Sequence, residues 1–451
     1  MARGIWGVDI RSLDTGEALF ELNDGRLMMP ASNMKIVTLA AAADLFGWDH
    51  TFTTTLETAG TVENGTLQGD LIVRGGGDPT INSRNGRAAA GLDEWAAALR
   101  AAGITRINGR IVGDDQLFDD DGIGPGWAWD YLQYGYAAPV GALQFNENLA
   151  MLTVRPAALA GDPALATITD GSGLTLITRV ATTAPGSPSS IDYKRRLDHP
   201  VLEVSGSIAA GSAALERTVA VVNPTIFFAQ ALKDGLTARG LLVAGEAVDH
   251  DDIVAELLRT ASERRTIVTT MSPPLRDVAI VLMKVSQNLY AETLLKAIGA
   301  ARGGIGTFEG GLNAIRSALA SWGIPDDGYV NADGSGLSRY NYLTPATIAA
   351  VLTREYKSEL NRAAFMATLP IAGKEGEGTM ATRMRRTRAE GNAIAKTGSI
   401  SNVRSLSGYV RTRDGEMLVF SIIANDFVIP AATVNWITDL AVEHLANFTR
   451  K

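Results

Sequence analysis

A change of texture near residue 270 constrains the fold more than any single motif. Upstream of it, strand signals dominate. Residues 5–10 alternate as a strand, Asp14-Thr15-Gly16 turns the chain, and residues 17–20 supply the second arm of a hairpin. Pro30 then opens an alanine- and leucine-rich helix that runs to Phe46 and is stopped by Gly47. Threonine- and valine-rich pieces at 51–74, broken at Asn64-Gly65 and Gly69-Asp70, read as strands, as does most of 148–222. Helices are predicted at 92–103 and 224–238, with strands at 104–114 around Asn108-Gly109. Downstream the pattern reverses. Helices are predicted at 274–285, 289–300, 308–322 and 345–356, strands at 392–397, 404–412 and 416–423, and a closing amphipathic helix at 431–447. One hairpin and one helix cannot bury their own apolar faces, and the elements able to cover them lie more than two hundred residues later. The reading is an α/β (α+β) domain assembled from both ends of the chain, with a β-rich region inserted between them.

Composition narrows the chemistry. Apolar residues make up 46% and charged residues 20%, which supports a packed core. The balance of 41 basic against 49 acidic residues, with no basic block, argues against nucleic acid as a partner. The absence of cysteine excludes disulfides, thiolate nucleophiles and Cys-ligated metals. His50, His199, His250 and His444 show no metal-ligand spacing, so neither a metal nor a cofactor is expected. Asp119-Asp120-Asp121 lacks the spacing and closing glutamate of an EF-hand loop and reads as a solvated acidic turn. Gly75-Gly76-Gly77 lacks the lysine and helix of a phosphate loop. No run approaches the ~18 apolar residues of a membrane span. The chain as given passes almost directly into its first strand, without a hydrophobic signal segment.

At the start of the first helix, Lys35 lies three residues after Ser32 and shares its face. An amine within reach of a hydroxyl can serve as its base, and free N–H groups at a helix N-terminus favour negative charge developing beside it. The same residues also suit an N-cap serine and a solvated lysine, so the rest of the chain must decide. Ser286-Gln287-Asn288 places a hydroxyl and a carboxamide where one helix ends and another begins, whereas Ser83-Arg84-Asn85 reads as an ordinary turn. Lys396-Thr397-Gly398-Ser399 lies in a β-branched stretch, so its side chains line a strand and Gly398 permits close backbone approach. Lys396 can attract a substrate carboxylate, and the strand edge can pair with an extended peptide. Acyl transfer requires a nucleophile, a base, an anion anchor and two N–H groups for the oxyanion. Ser32, Lys35, Lys396 and the backbone N–H groups of Ser32 and Ser399 would supply them.

The ordered set Ser-x-x-Lys, Ser-x-Asn, Lys-Thr-Gly is the signature of penicillin-interacting serine enzymes. Further stretches extend it: Val8-Asp9, Thr15-Gly16, Gly69-Asp70-Leu71, Gly75-Gly76-Gly77-Asp78-Pro79-Thr80, Gly109-Arg110-Ile111-Val112-Gly113-Asp114-Asp115, Gly124-Pro125-Gly126-Trp127, Asp333-Gly334-Ser335-Gly336-Leu337-Ser338-Arg339 and Leu369-Pro370-Ile371-Ala372-Gly373. Through nearly its whole length the chain resembles the class C low-molecular-mass penicillin-binding proteins, of the penicillin-binding protein 4 type. The resemblance implies a β-lactamase/transpeptidase-like catalytic domain at 1–50 and 268–451. It also implies two inserted domains, one at 51–80 with 160–267 and the other at 81–159.

The activity implied is that of a serine D-Ala-D-Ala carboxypeptidase or endopeptidase, acylated by β-lactams and acting on peptidoglycan stem peptides. Its location would be the periplasm or the outer face of the cytoplasmic membrane. By resemblance, Ser32 is the nucleophile and Lys35 its base, while Ser286 and Asn288 assist proton transfer and hold the substrate amide. Lys396 with Thr397, beside Gly398, grips the terminal carboxylate, and Ser399 contributes its N–H to the oxyanion hole. Asp130 matches a residue that in some relatives reads the amine end of a diaminopimelate side chain, although a helix-capping or solvated aspartate fits the same position. Two departures stand out. The signal peptide and N-terminal helix of the family are missing from the chain as given, and the 373–379 segment is longer than the usual Gly-x-x-Gly-Thr. Esters, β-lactams or D-amino-acid amides are alternative substrates for the same set, and a non-catalytic muropeptide-binding scaffold is the alternative from another class.

Overall fold

Among the described residues, the first strand pairs with the last. Ile5–Ser12 lies between Ala18–Leu22 and Met417–Asn425, antiparallel to both, with Ile5 opposite Asn425 and Ser12 opposite Leu418. Val403–Arg411 and then Ile394–Ile400 complete a five-stranded antiparallel sheet in which Ile394–Ile400 is an edge. The two ends of the chain therefore share one sheet, as the texture change required. The computed structural model describes residues 4–253 and 264–450. These divide into two units, one of 4–51, 124–127 and 273–450, the other within 52–123 and 128–272.

In the first unit the strand period sorts side chains between the two faces of the sheet. Leu406, Leu418, Phe420 and Ile422 pack with Val442 and Ala446 of the C-terminal helix Ala431–Asn447. The alternate positions Ser405, Ser407 and Ser421 face the opposite way, towards the turn that carries Ser32. There the Ser405 hydroxyl donates to the Pro30 carbonyl at 2.6 Å, and Asn33 donates to Ser407, which donates to Ser421. These bonds offset the cost of burying hydroxyls in an apolar sheet. The following helix, Met34–Phe46, is buried continuously from Met34 to Ala43. Buried around its circumference through those ten residues, it is a core helix whose polar Lys35 and Thr38 are hydrogen-bonded. It packs among Asn288–Ala301, Phe308–Ser321 and Pro345–Lys357.

The second unit is built around a seven-stranded sheet. Its hairpin Thr53–Glu63/Thr66–Gly75 turns at Asn64-Gly65 as expected, but the break expected at Gly69-Asp70 is absent. Gly69 instead sits opposite Gly60 in the ladder, where an added Cβ would lie 1.8 Å from the Ala59 carbonyl oxygen. The glycine marks close backbone approach rather than a turn. Helix Arg87–Ala101 begins five residues before the expected 92; it follows Gly86 and has no side-chain cap, so no capping residue marks its start. Helix Pro224–Ala238 falls where predicted, with Asn223 accepting from the Thr225 and Ile226 N–H groups.

Strands Arg106–Ile107 and Ile111–Asp114, which lie within the stretch expected as a separate insert at 81–159, pair with Thr66–Gly75 in the large sheet. Two three-stranded sheets occupy 149–220, and one core, including Leu71, Trp95, Leu152, Leu202 and Phe228, joins them to the large sheet. In the acidic turn, Asp120 lies beside Asp115 and Asp251, with carboxylate oxygens within 4.8 Å of one another. Among the described residues, no helix is long and apolar enough to cross a membrane.

Candidate active site

The chain reaches Ser32 through a single 3-10 turn, Ala31–Asn33, in which Ala31 adopts φ +47°. A positive φ on a residue with a Cβ costs of order 1–3 kcal/mol and persists only when its surroundings impose it. Here Ser405 holds the Pro30 carbonyl, Asn425 bonds both the N–H and the carbonyl of Met29, and Gly336 closes over Ala31. A Cβ on Gly336 would lie 1.8 Å from the Ala31 oxygen. The Ser32 side chain is not a cap; its oxygen accepts from Lys35 Nζ at 2.9 Å.

Lys35 is fully buried, and its Nζ has three acceptors: Ser32 Oγ at 2.9 Å, Asn288 Oδ1 at 2.6 Å and the Ser335 carbonyl at 2.7 Å. Burial lowers its pKa to about 7, against the opposing pull of the Glu292 and Asp333 carboxylates. Near neutrality a large share of the amine is therefore uncharged. A neutral amine keeps two N–H donors, matching Asn288 and Ser335, and turns its lone pair to the Ser32 hydroxyl. Lys396 is also fully buried, and burial, reinforced by Lys35, holds its pKa well below the usual lysine range. Its Nζ donates to Ser286 Oγ at 2.8 Å and to the Thr397 carbonyl at 2.8 Å. Ser286 stands at φ +62° between helices Leu275–Lys284 and Asn288–Ala301, so the helix break aims both Ser286 and Asn288 at the two lysines.

The edge strand supplies the opposite wall. Its Lys396 pairs with Ser407 in the ladder, which places the lysine on the face turned to the serine turn. Ala395 N–H points away from the sheet and donates to the Pro370 carbonyl at 2.9 Å. By the two-residue period, the N–H groups of Thr397 and Ser399 leave the same edge. At Gly398 a Cβ would lie 2.1 Å from Ser405 Oγ, 2.7 Å from the Pro30 oxygen and 3.1 Å from the Ser32 nitrogen. Glycine is what lets this strand lie against the nucleophile turn.

Ser32, Lys35, Ser286, Asn288, Lys396, Thr397, Gly398 and Ser399 thus belong to one cluster in the first unit. Asp130 belongs to the second unit, exposed on the Trp129–Tyr131 turn. Sequence reasoning did not name Glu292, and it gave Asp333 no role beyond opening one of the stretches that carry the resemblance. The Glu292 carboxylate accepts from the Gly334 and Ser335 N–H groups, both at 2.8 Å. Asp333 accepts from the Gly336 and Ser338 N–H groups, from Asn341 and from Trp127 Nε1. Together they shape the loop that presents the Ser335 carbonyl to Lys35. Burial, and then the neighbouring Asp333, push the Glu292 pKa up. One available signal was that Glu292 lies four residues after Asn288, on the same helical face.

An antiparallel sheet backing a buried helix, with a Ser-x-x-Lys turn against a Lys-Thr-Gly edge strand, defines the penicillin-recognising serine peptidases with a transpeptidase-like fold. The chain belongs to the D-Ala-D-Ala carboxypeptidase 3 (S13) family, whose model matches residues 1–446. It is 33% identical over 436 residues to D-alanyl-D-alanine carboxypeptidase of Actinomadura sp. strain R39, which covers 94% of this chain and 78% of that protein. To D-alanyl-D-alanine carboxypeptidase DacB of Haemophilus influenzae it is 27% identical over 424 residues, 93% of this chain and 85% of that protein. The crystal structure of penicillin binding protein 4 from H. influenzae matches with a TM-score of 0.83 at 26% identity, covering 99% of this chain and 97% of that one.

Proposed function

We propose that the chain removes the terminal D-alanine of peptidoglycan stem peptides through a serine acyl-enzyme. The observation that carries this reading is the buried Lys35 amine, lowered to about 7 and 2.9 Å from Ser32 Oγ. Neutral Lys35 takes the Ser32 proton as Oγ attacks the carbonyl carbon of the penultimate D-alanine. The Ser32 and Ser399 N–H groups receive the oxyanion. Collapse breaks the C–N bond, and the proton that Lys35 took from Ser32 passes to the departing amine through the Ser286 hydroxyl, which Lys396 supports, leaving Lys35 neutral again. Water then attacks the ester and regenerates Ser32. Asn288 orients the substrate amide, and Lys396 with Thr397 anchors the terminal carboxylate. Penicillin offers an amide and a carboxylate to the same groups. Such a substrate places the enzyme outside the cytoplasmic membrane.

The test is release of D-alanine from a D-Ala-D-Ala peptide, alongside covalent labelling by a fluorescent penicillin. Both are expected in the parent protein and absent in Ser32→Ala. Stoichiometric labelling of Ser32→Ala sinks the assignment, and ester turnover without peptide turnover moves the substrate class to simple esters.

A further inference from the structure

The 373–379 segment ends on Thr379. The Thr379 and Thr397 hydroxyl oxygens lie 2.7 Å apart. This closeness is built in by the segment's anchorage. Its Glu377 carboxylate pairs with Lys284 Nζ, and Lys374 Nζ lies 3.8 Å from the other Glu377 oxygen. The Thr379 N–H donates to the Lys284 carbonyl at 3.0 Å. Gly378 stands at φ +90°, where a Cβ would come within 2.4 Å of the Lys284 oxygen, so the backbone passes at a distance only glycine allows. Lys284 precedes Ser286 by two residues. The rim is therefore fastened to the same short piece of chain that holds the Lys396 partner.

Two hydroxyls in hydrogen-bond contact place one proton between their oxygens and leave one free to be donated outwards. Donation through two hydroxyls in series is polarised and stronger than through one, most of all towards an anion. We infer that Thr379 is a specificity-determining residue: it orients the Thr397 hydroxyl and, with it, selects substrates that end in a free carboxylate. The inference rests on the reading of Lys396 and Thr397 as the carboxylate anchor.

The readout is the ratio of kcat/KM for a D-Ala-D-Ala peptide to that for the same peptide with its C-terminus amidated. A structural role of Thr379 lowers both constants together and leaves the ratio in place. Thr379→Val is expected to lower the ratio about tenfold, the value of one hydrogen bond to a charged group. Thr379→Ser is expected to restore it. Glu377→Gln, which removes the charge holding the rim to Lys284, is expected to lower the ratio by a smaller factor and keeps the inference testable should Thr379→Val misfold. An unchanged ratio in Thr379→Val and Glu377→Gln overturns the inference. Thr397→Val separates the two levels. If it collapses the ratio while Thr379→Val does not, the inference fails and the anchor stands; if neither does, the anchor reading itself fails.

Discussion

Asn288→Asp puts a carboxylate where the Asn288 amide oxygen now lies, 2.6 Å from Lys35 Nζ, with almost no change of shape. At an effective dielectric of about 20, unit charges at that separation attract by about 6 kcal/mol. With about 1.4 kcal/mol per pKa unit, the Lys35 pKa rises by between about four and five units. The lysine now sits at about 7, so the variant's midpoint moves to about 11 or above. Near pH 7 the neutral fraction then falls from about one half to roughly one in ten thousand. The rate constant for acylation by a fluorescent penicillin, followed from pH 5 to pH 10, is the assay. Acylation by the parent should rise with pH and level off above a midpoint near 7. The variant should be about 10³–10⁴-fold slower at pH 7 and gain tenfold per pH unit without levelling. Weaker binding from the lost amide N–H lowers the rate but moves no midpoint. A variant that keeps the midpoint near 7 and acylates within about threefold of the parent would refute Lys35 as the base.

Two other perturbations test how the nucleophile turn is held. Gly336→Ala combines φ +83° with a Cβ 1.8 Å from the Ala31 oxygen, and should cost about 3 kcal/mol in chemical denaturation while abolishing penicillin labelling. Gly398→Ala forces the edge strand from the Pro30 oxygen and Ser32 nitrogen, and should slow acylation about a hundredfold with the far-ultraviolet circular dichroism retained. Acylation of Gly398→Ala at the parental rate would show that the strand need not lie so close.

Ser32, Lys35, Ser286, Asn288 and Lys396 were legible because each sits in a short motif whose residue types answer a chemical need. Which elements lie together was legible from the hairpin and helix left without partners upstream. The groups behind the site were not. Glu292 lies in a helix buried on nearly every side, and a lone glutamate there carries no pattern that names its partners, the Gly334 and Ser335 N–H groups. The 69–70 glycine was misread because close approach and turning demand the same residue, and only the ladder opposite Gly60 separates them. The helix at Arg362–Thr368 was missed: at seven residues it is too short to establish a 3.6-residue period.

The pairing of Ile5–Ser12 with Met417–Asn425 sets the order in which the molecule can be finished during synthesis. Strands 53–63 and 264–271 both precede the last three strands of the catalytic sheet, so the inserted unit can close its own sheets first. At roughly 5–20 residues per second, the ribosome takes on the order of 20–70 s to pass from Ser32 to Lys396. Throughout that interval the nucleophile exists without the strand that completes its surroundings. A nascent chain that stops before these strands therefore carries a serine without its anchor lysine or its edge strand, and the sheet behind it closes only when Met417–Asn425 pairs with Ile5–Ser12.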